Sequence, residues 1–377
     1  MPPVPHLPAF VPYPTARHLP IGATALAQKL QARGRVVLPL HRRGQDLGFV
    51  VPLPSARRMP PDAATRWRDG EAVFLPGILG KGPRRHAAQI EATLRMFDRC
   101  RRGARFLDEV ERRLRDDNDL RYAGSTVDKS DPREIERVFI DAEPDGQVVA
   151  TDLWAKLTWI ANDQSDPSLR IRFSHGKEQI EEWMCGTNLS AGWVDILAFR
   201  MFPECMAVLR CKPLLQRLGQ LLQRPYRLSE RIVYNNAPDG GAVFHHDAEP
   251  GQLGVVFSQL EGQTAWLALS KRRLADLLVR RGAAKTPLQA MARLDGGDDR
   301  PLWRLLNRDA EFTGHLAARG ALFALQPGDA ILLPSHGIDD VTWHSVIALG
   351  ERPSLAHSYG IFPRRPDYPV APGTTPG

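Results

Sequence analysis

The sequence predicts an α+β protein whose C-terminal half folds as a jelly-roll barrel, preceded by a mixed, helix-rich N-terminal region. Three observations carry this. From Ser229 onward, short runs rich in Val, Phe, Trp and Tyr alternate with turn clusters, as consecutive antiparallel strands do. Those runs fall into two groups of four on either side of a stretch with helical spacing, and eight short strands pair naturally into two facing sheets. Before residue 229, several segments repeat apolar residues at intervals of three and four, the spacing of an amphipathic helix.

Taken in chain order, residues 1–20 are proline-rich and lack periodicity, so a disordered arm is expected there, and again at 363–377. Residues 21–228 form the N-terminal region. Within it, AAQIEATLRMFDRCR at 87–101 and residues 105–115 read as helices, 148–160 and 169–173 as strand or mixed structure, and 205–222 as a helix ended by Pro225. The barrel is expected over 229–362. Its runs are RIVYNN, AVFHHD, LGVVFSQL and TAWLALS, then ALFALQ, AILLP, VTWHSVIAL and SLAHSYGIF, with a helical insertion at 271–319 between the two groups.

Composition narrows the class of protein. Hydrophobic residues at 43% and charged residues at 25% fit a soluble globular chain with a sizeable core. No run approaches the ~18 apolar residues of a membrane span, and MPPVPHLPAFVPYP lacks the basic end and apolar stretch of a secretory leader, so the cytoplasm is the expected location. The cysteines, Cys100, Cys185, Cys205 and Cys211, form no Cys-x-x-Cys pair and are too sparse for a disulfide framework. The net charge of +7 comes from arginine pairs scattered along the chain rather than one basic stripe, which does not indicate nucleic-acid binding.

Chemistry concentrates in the barrel. In Phe244-His245-His246-Asp247, positions two apart on a strand share a face, so His245 and Asp247 point one way and His246 the other. A third metal ligand comes from His344 in the seventh run, since strands two and seven of a two-sheet barrel can be neighbours. Two imidazoles and one carboxylate on one side of an ion leave its other positions open, as in non-haem iron(II) oxygenases. Arg352, at the start of the last run, offers a planar fork for a carboxylate, and Ser354 can add a hydroxyl. Tyr234 and Asn236 on the first run are weighed as pocket-facing residues against ordinary strand positions at a turn. His246, His336 and His357 are the alternatives to the chosen ligands. Asp152, Trp154 and Trp159 in the N-terminal region are weighed as substrate contacts against ordinary core or surface roles.

These residues, in this order, resemble the Fe(II)/2-oxoglutarate-dependent dioxygenase superfamily over about residues 229–362. FSQLEGQTAWLALSKRRL followed by LQPGDAILLP looks like its JmjC and cupin-type branch, and Arg352 is placed as in the prolyl-hydroxylase branch. The resemblance implies a double-stranded β-helix core, Fe(II) on His245, Asp247 and His344, and 2-oxoglutarate held by Arg352 with Ser354. Tyr234 and Thr264 are further co-substrate contacts, Thr264 standing where the JmjC-like branch carries a lysine. An acid at 247 argues against halogenation, and Ser358, where base-repair dealkylases carry a second arginine, argues against nucleobase repair. The expected reaction is hydroxylation or desaturation, with dioxygen, of a small molecule such as an amino acid or natural-product intermediate. Three other readings stay open: a metal-dependent cupin that uses no 2-oxoglutarate, a JmjC-type protein side-chain hydroxylase, and a binding module without catalysis.

Overall fold

The computed structural model describes residues 15–53, 62–161, 165–176, 188–297 and 299–364. Fifteen strands run in this order: β1 Ala16–Leu19, β2 Leu38–Arg42, β3 Gln45–Pro52, β4 Val73–Leu75, β5 Leu120–Thr126, β6 Glu134–Ala142, β7 Ala150–Trp159, β8 Leu169–His175, β9 Tyr226–Asn236, β10 Gly254–Glu261, β11 Gln263–Ser270, β12 Leu322–Leu325, β13 Ala330–Pro334, β14 Thr342–Leu349 and β15 Ser354–Pro363. They build three antiparallel sheets. The largest is ordered β4-β13-β10-β15-β9-β8-β7-β6-β5, a second β12-β11-β14, and a third β1-β3-β2.

The first two sheets face each other. Phe74, Val255, Phe257 and Ile331 of the large sheet pack against Trp266, Phe323, Leu325 and Val346 of the small one. Each large side chain buried in such a layer stabilises the fold by roughly 1.5–3 kcal/mol of transfer free energy. The small sheet gains a fourth member without a continuous ladder. Residues 240–245 run antiparallel to β14, with Ala348 N donating to Gly240 O, Val346 N to Ala242 O (both 2.8 Å), and a reciprocal pair of bonds between His245 and His344.

This corrects the expected second strand, AVFHHD, whose only bridge is at His245. Gly241 explains the irregularity. Its φ is +130°, and a Cβ there would lie 2.5 Å from the Val346 carbonyl, so the chain approaches β14 more closely than a side chain permits.

The N-terminal region is richer in strand than its apolar spacing indicated. It supplies β5 to β8, which widen the large sheet beyond the barrel, and β4, which closes the other edge against β13. Residues 148–160 and 169–173 thus resolve as strand, because both lie in a fully paired sheet interior. Ala16–Leu19, assigned to the N-terminal arm, pairs with β3; residues 1–14 and 365–377 of the two arms lie outside the described residues. The helix expected over 205–222 divides into Met206–Leu209 and Lys212–Leu222, with Pro213 in the first turn of the latter. Proline cannot supply the backbone N–H that continuing the earlier helix would need.

Four helices, Lys271–Arg280, Pro287–Asp295, Arg300–Arg308 and Ala310–Ala318, fill the insertion. Ser270, Thr286, Asp299 and Asp309 each accept a backbone N–H at a helix start. Among the described residues no helix is long and apolar enough to cross a membrane. Cys100, Cys205 and Cys211 are buried free thiols, while Cys185 lies outside the described residues.

Candidate metal centre

His245, Asp247 and His344 converge. One ligand atom from each lies within 4.8 Å of the others. His245 Nε2 stands 3.2 Å from Asp247 Oδ1, and His344 Nε2 stands 3.4 Å from Asp247 Oδ2, so both imidazoles address one carboxylate. His344 is 2% exposed at the back of the site, whereas His245 and Asp247 keep part of their surface toward its mouth.

The ring nitrogens are sorted by their partners. His245 Nδ1 lies 2.8 Å from the Val243 carbonyl, which can only accept, so Nδ1 bears the proton and Nε2 keeps its lone pair for an ion. His344 is clamped from one side by Trp266, stacked at 5.3 Å between ring centres and 20° between planes.

Burial alone would raise the Asp247 pKa, but the two imidazoles and Arg170 outweigh it and hold the carboxyl well below its usual range. Burial, then His245, push His344 down to about 3, so this imidazole is neutral at ordinary pH. Burial opposes protonation of His245 as well, yet Asp247 prevails there and its pKa rises. Two neutral or readily neutralised imidazoles beside an ionised carboxylate are a donor set that fits a divalent transition metal.

The three ligands open on a cavity that they line together with Tyr234, Asn236 and Ser358 on its polar side. Val255, Phe257, Leu333 and Val346 supply its apolar wall. Burial, then Asp247, push the Tyr234 hydroxyl up to about 12, so it remains a proton donor.

The other expected contacts fall elsewhere. Arg352, expected as co-substrate anchor, is exposed just before β15 and is not part of the cavity lining; the barrel-facing positions begin at Ser354. Ser354 is buried, and its hydroxyl accepts the Asn236 amide at 3.1 Å. Thr264 lies behind the lining; it donates to Gln259 Oε1 and accepts the Trp266 indole N–H at 3.1 Å, so it orients the ring stacked on His344. His246 turns away, toward Trp343. His336 reaches the Trp67 carbonyl, and His357 lies beside Glu204 on the outer face of β15. Asp152 is exposed, Trp159 packs on the core beyond the barrel, and Trp154 is buried beneath Arg137 and Lys156.

Residues from three distant stretches brace the ligand-bearing segment. Arg42 of β2 donates to Ala242 O and Val346 O, on both sides of the seam, and to the Ser345 hydroxyl. Asp166 accepts Gly241 N at 3.0 Å and is paired with Arg43. Asn307, from the insertion, accepts Phe244 N at 2.8 Å. Nothing in their local sequence marks them, since each acts through a contact made across scores of residues.

Neither a protein-family model nor a curated protein matches the sequence. Solved structures similar to the chain include an oxidoreductase of the 2OG-Fe(II) oxygenase family from Burkholderia pseudomallei: 11% identity, 80% of this chain and 89% of that one, TM-score 0.29. A second is HygX from Streptomyces hygroscopicus with nickel and 2-oxoglutarate bound: 12% identity, 81% of this chain and 88% of that one, TM-score 0.32. A third is SnoN, a non-heme alpha-ketoglutarate-dependent epimerase from nogalamycin biosynthesis: 13% identity, 84% and 90%, TM-score 0.33. A fourth is YcfD, a ribosomal oxygenase from Escherichia coli: 14% identity, 58% of this chain but only 41% of that one, TM-score 0.26. With identities and scores this low, the reading of the site stands on its own geometry.

Proposed function

We propose that the chain is an Fe(II)- and 2-oxoglutarate-dependent oxygenase that hydroxylates or desaturates a small molecule, with its eight barrel runs forming a double-stranded β-helix. The observation that carries this is the meeting of His245, Asp247 and His344 at the wall of one cavity. Two imidazoles and a carboxylate leave half of an octahedral ion free for a chelating keto acid and a gas molecule. Bound iron with 2-oxoglutarate and dioxygen supplies the oxidising power that removes hydrogen from an unactivated carbon.

The protein's share is positioning and exclusion of water. His245 offers Nε2 because Val243 holds the proton of Nδ1, and Asp247 stays ionised between the two rings. Trp266, fixed by Thr264, holds the plane of His344. Val255, Phe257, Leu333 and Val346 keep the cavity apolar, so a reactive centre meets substrate hydrogen rather than solvent.

The test is succinate release from 2-oxoglutarate under air, with added Fe(II), across a panel of amino acids and natural-product intermediates. Turnover that needs the metal and disappears in His344→Ala supports the assignment. Metal binding without any consumption of 2-oxoglutarate would instead support a cupin enzyme that uses no such co-substrate, the reading that the exposed Arg352 favours.

A further inference from the structure

With Arg352 outside the cavity, the proposed function lacks a cation for the distal carboxylate of 2-oxoglutarate. The barrel-facing residues at the start of β15, Ser354, Ala356 and Ser358, are all small and uncharged. A cation nevertheless stands in register with the lining, one strand beyond Tyr234 and not itself among the lining residues. Ala356 pairs with Tyr234 on β9, and Tyr234 pairs with Arg170 on β8, so the three form one row across the large sheet. Laterally paired residues share a face. Since Tyr234 lines the cavity, Arg170 projects from the interior side, while its neighbours Leu169 and Ile171 are buried in the core on the other face.

We propose that Arg170, acting with Tyr234, is the anchor for the distal carboxylate of 2-oxoglutarate, an assignment that rests on the oxygenase reading above. The geometry favours it in three ways. Arg170 Nε donates to Thr158 Oγ1 at 3.1 Å, in register on β7, which fixes the plane of the guanidinium and leaves its terminal N–H groups for other acceptors. Tyr234 is hydrogen-bonded to this guanidinium, which can only donate, so the phenol oxygen accepts and its own proton is free for a carboxylate.

Third, Arg170 feels the charge of Asp247 and of His245, yet among the described residues no carboxylate forms an ion pair with it. It is near the metal ligands without being spent on them. A partly buried guanidinium without a carboxylate is unfavourable, and a bound dicarboxylate reaching from the ion to this row offsets that. The absence of bulk at Ala356 and Ser358 leaves room for such a chain beside Tyr234.

The experiment is calorimetric titration of the full-length, Mn(II)-loaded protein with 2-oxoglutarate and with 2-oxobutyrate, which has the same keto-acid end but no distal carboxylate. Mn(II) affinity, measured first, shows that each variant keeps its metal centre. Arg170→Gln is expected to weaken 2-oxoglutarate roughly 10- to 100-fold, the worth of a charged hydrogen-bonded pair, and to leave 2-oxobutyrate unchanged. Arg170→Lys, which keeps the charge and is the fallback should Gln disturb folding, should lose less, and Tyr234→Phe several-fold. Arg352→Gln should bind as the parent does. If the parent binds 2-oxoglutarate and Arg170→Gln binds it equally well, or if Arg352→Gln is the weakened variant, the anchor assignment is wrong and the oxygenase reading survives. If the Mn(II)-loaded parent does not bind 2-oxoglutarate, both fall.

Discussion

Replacing Gly241 with alanine perturbs the metal centre without touching a ligand. The Cβ would sit 2.5 Å from the Val346 carbonyl, against 3.4 Å or more for ordinary contact, so the segment must retreat from β14 by about 0.9 Å. The residue also has a φ of +130°, which costs a side chain on the order of 1–3 kcal/mol. Retreat at 241 stretches the bonds at Ala242 and His245 that carry the first ligand to the second. Metal–ligand distances tolerate only about 0.2 Å, and lost support for a ligand typically costs 10- to 100-fold in affinity. Gly241→Ala should therefore bind Mn(II) or Co(II) about 10- to 100-fold more weakly while remaining folded. Gly337→Ala is the control: its φ is +108° but nothing lies within 4 Å of its Cβ, so it carries the backbone strain without the clash. Gly241→Ala with parental metal affinity would refute the claim that this seam positions His245.

Three other outcomes follow from the same geometry. Below the raised pKa of His245 a proton competes with the ion, while His344 and Asp247 are already in their ligating forms. Metal affinity should thus rise by about tenfold per pH unit up to that pKa, above 6.5, and then level off, with one proton released per ion on the acidic side; titrations that are flat between about pH 5.5 and 7 exclude this. Asn307→Ala leaves the buried Phe244 N–H without its acceptor, at a cost of about 1–3 kcal/mol, so denaturant unfolding should show that loss together with weaker metal binding. Saturating the parent protein with metal at about 100 times its Kd should add about 2.7 kcal/mol to stability, and His344→Ala should abolish the corresponding rise in Tm.

Much of the barrel can be read from residue pattern because its signals are local. Alternating β-branched and aromatic runs separated by APDGG, EGQ and QPGD place β9 to β15 within a few residues. The order His245, Asp247, His344 is also visible in the chain, since one segment and its neighbouring strand supply all three side chains. The charged partners of the cavity are not. Arg352 looks like an anchor because it follows a ligand strand by a short interval, yet β15 begins two residues later and leaves it in the turn. Arg170 sits in LRIRF, where alternation shows that the two arginines share a face but not which face meets the barrel. That depends on β8 pairing with β9 across more than fifty intervening residues. The irregular path of AVFHHD is hidden for a similar reason: Gly240-Gly241 reads as a turn, whereas its purpose is close approach to a strand a hundred residues away.

The bracing of residues 240–245 by Arg42, Asp166 and Asn307 has a practical consequence. The barrel is not a portable cassette. A fragment trimmed to residues 229–362 would retain every ligand yet forfeit two of the three props that aim them, and a graft exchanging the helical insertion would forfeit the third. Redesign of this chain for a new substrate is better directed at the cavity wall, where Val255 and Leu333 can change without unfastening the scaffold behind the ion.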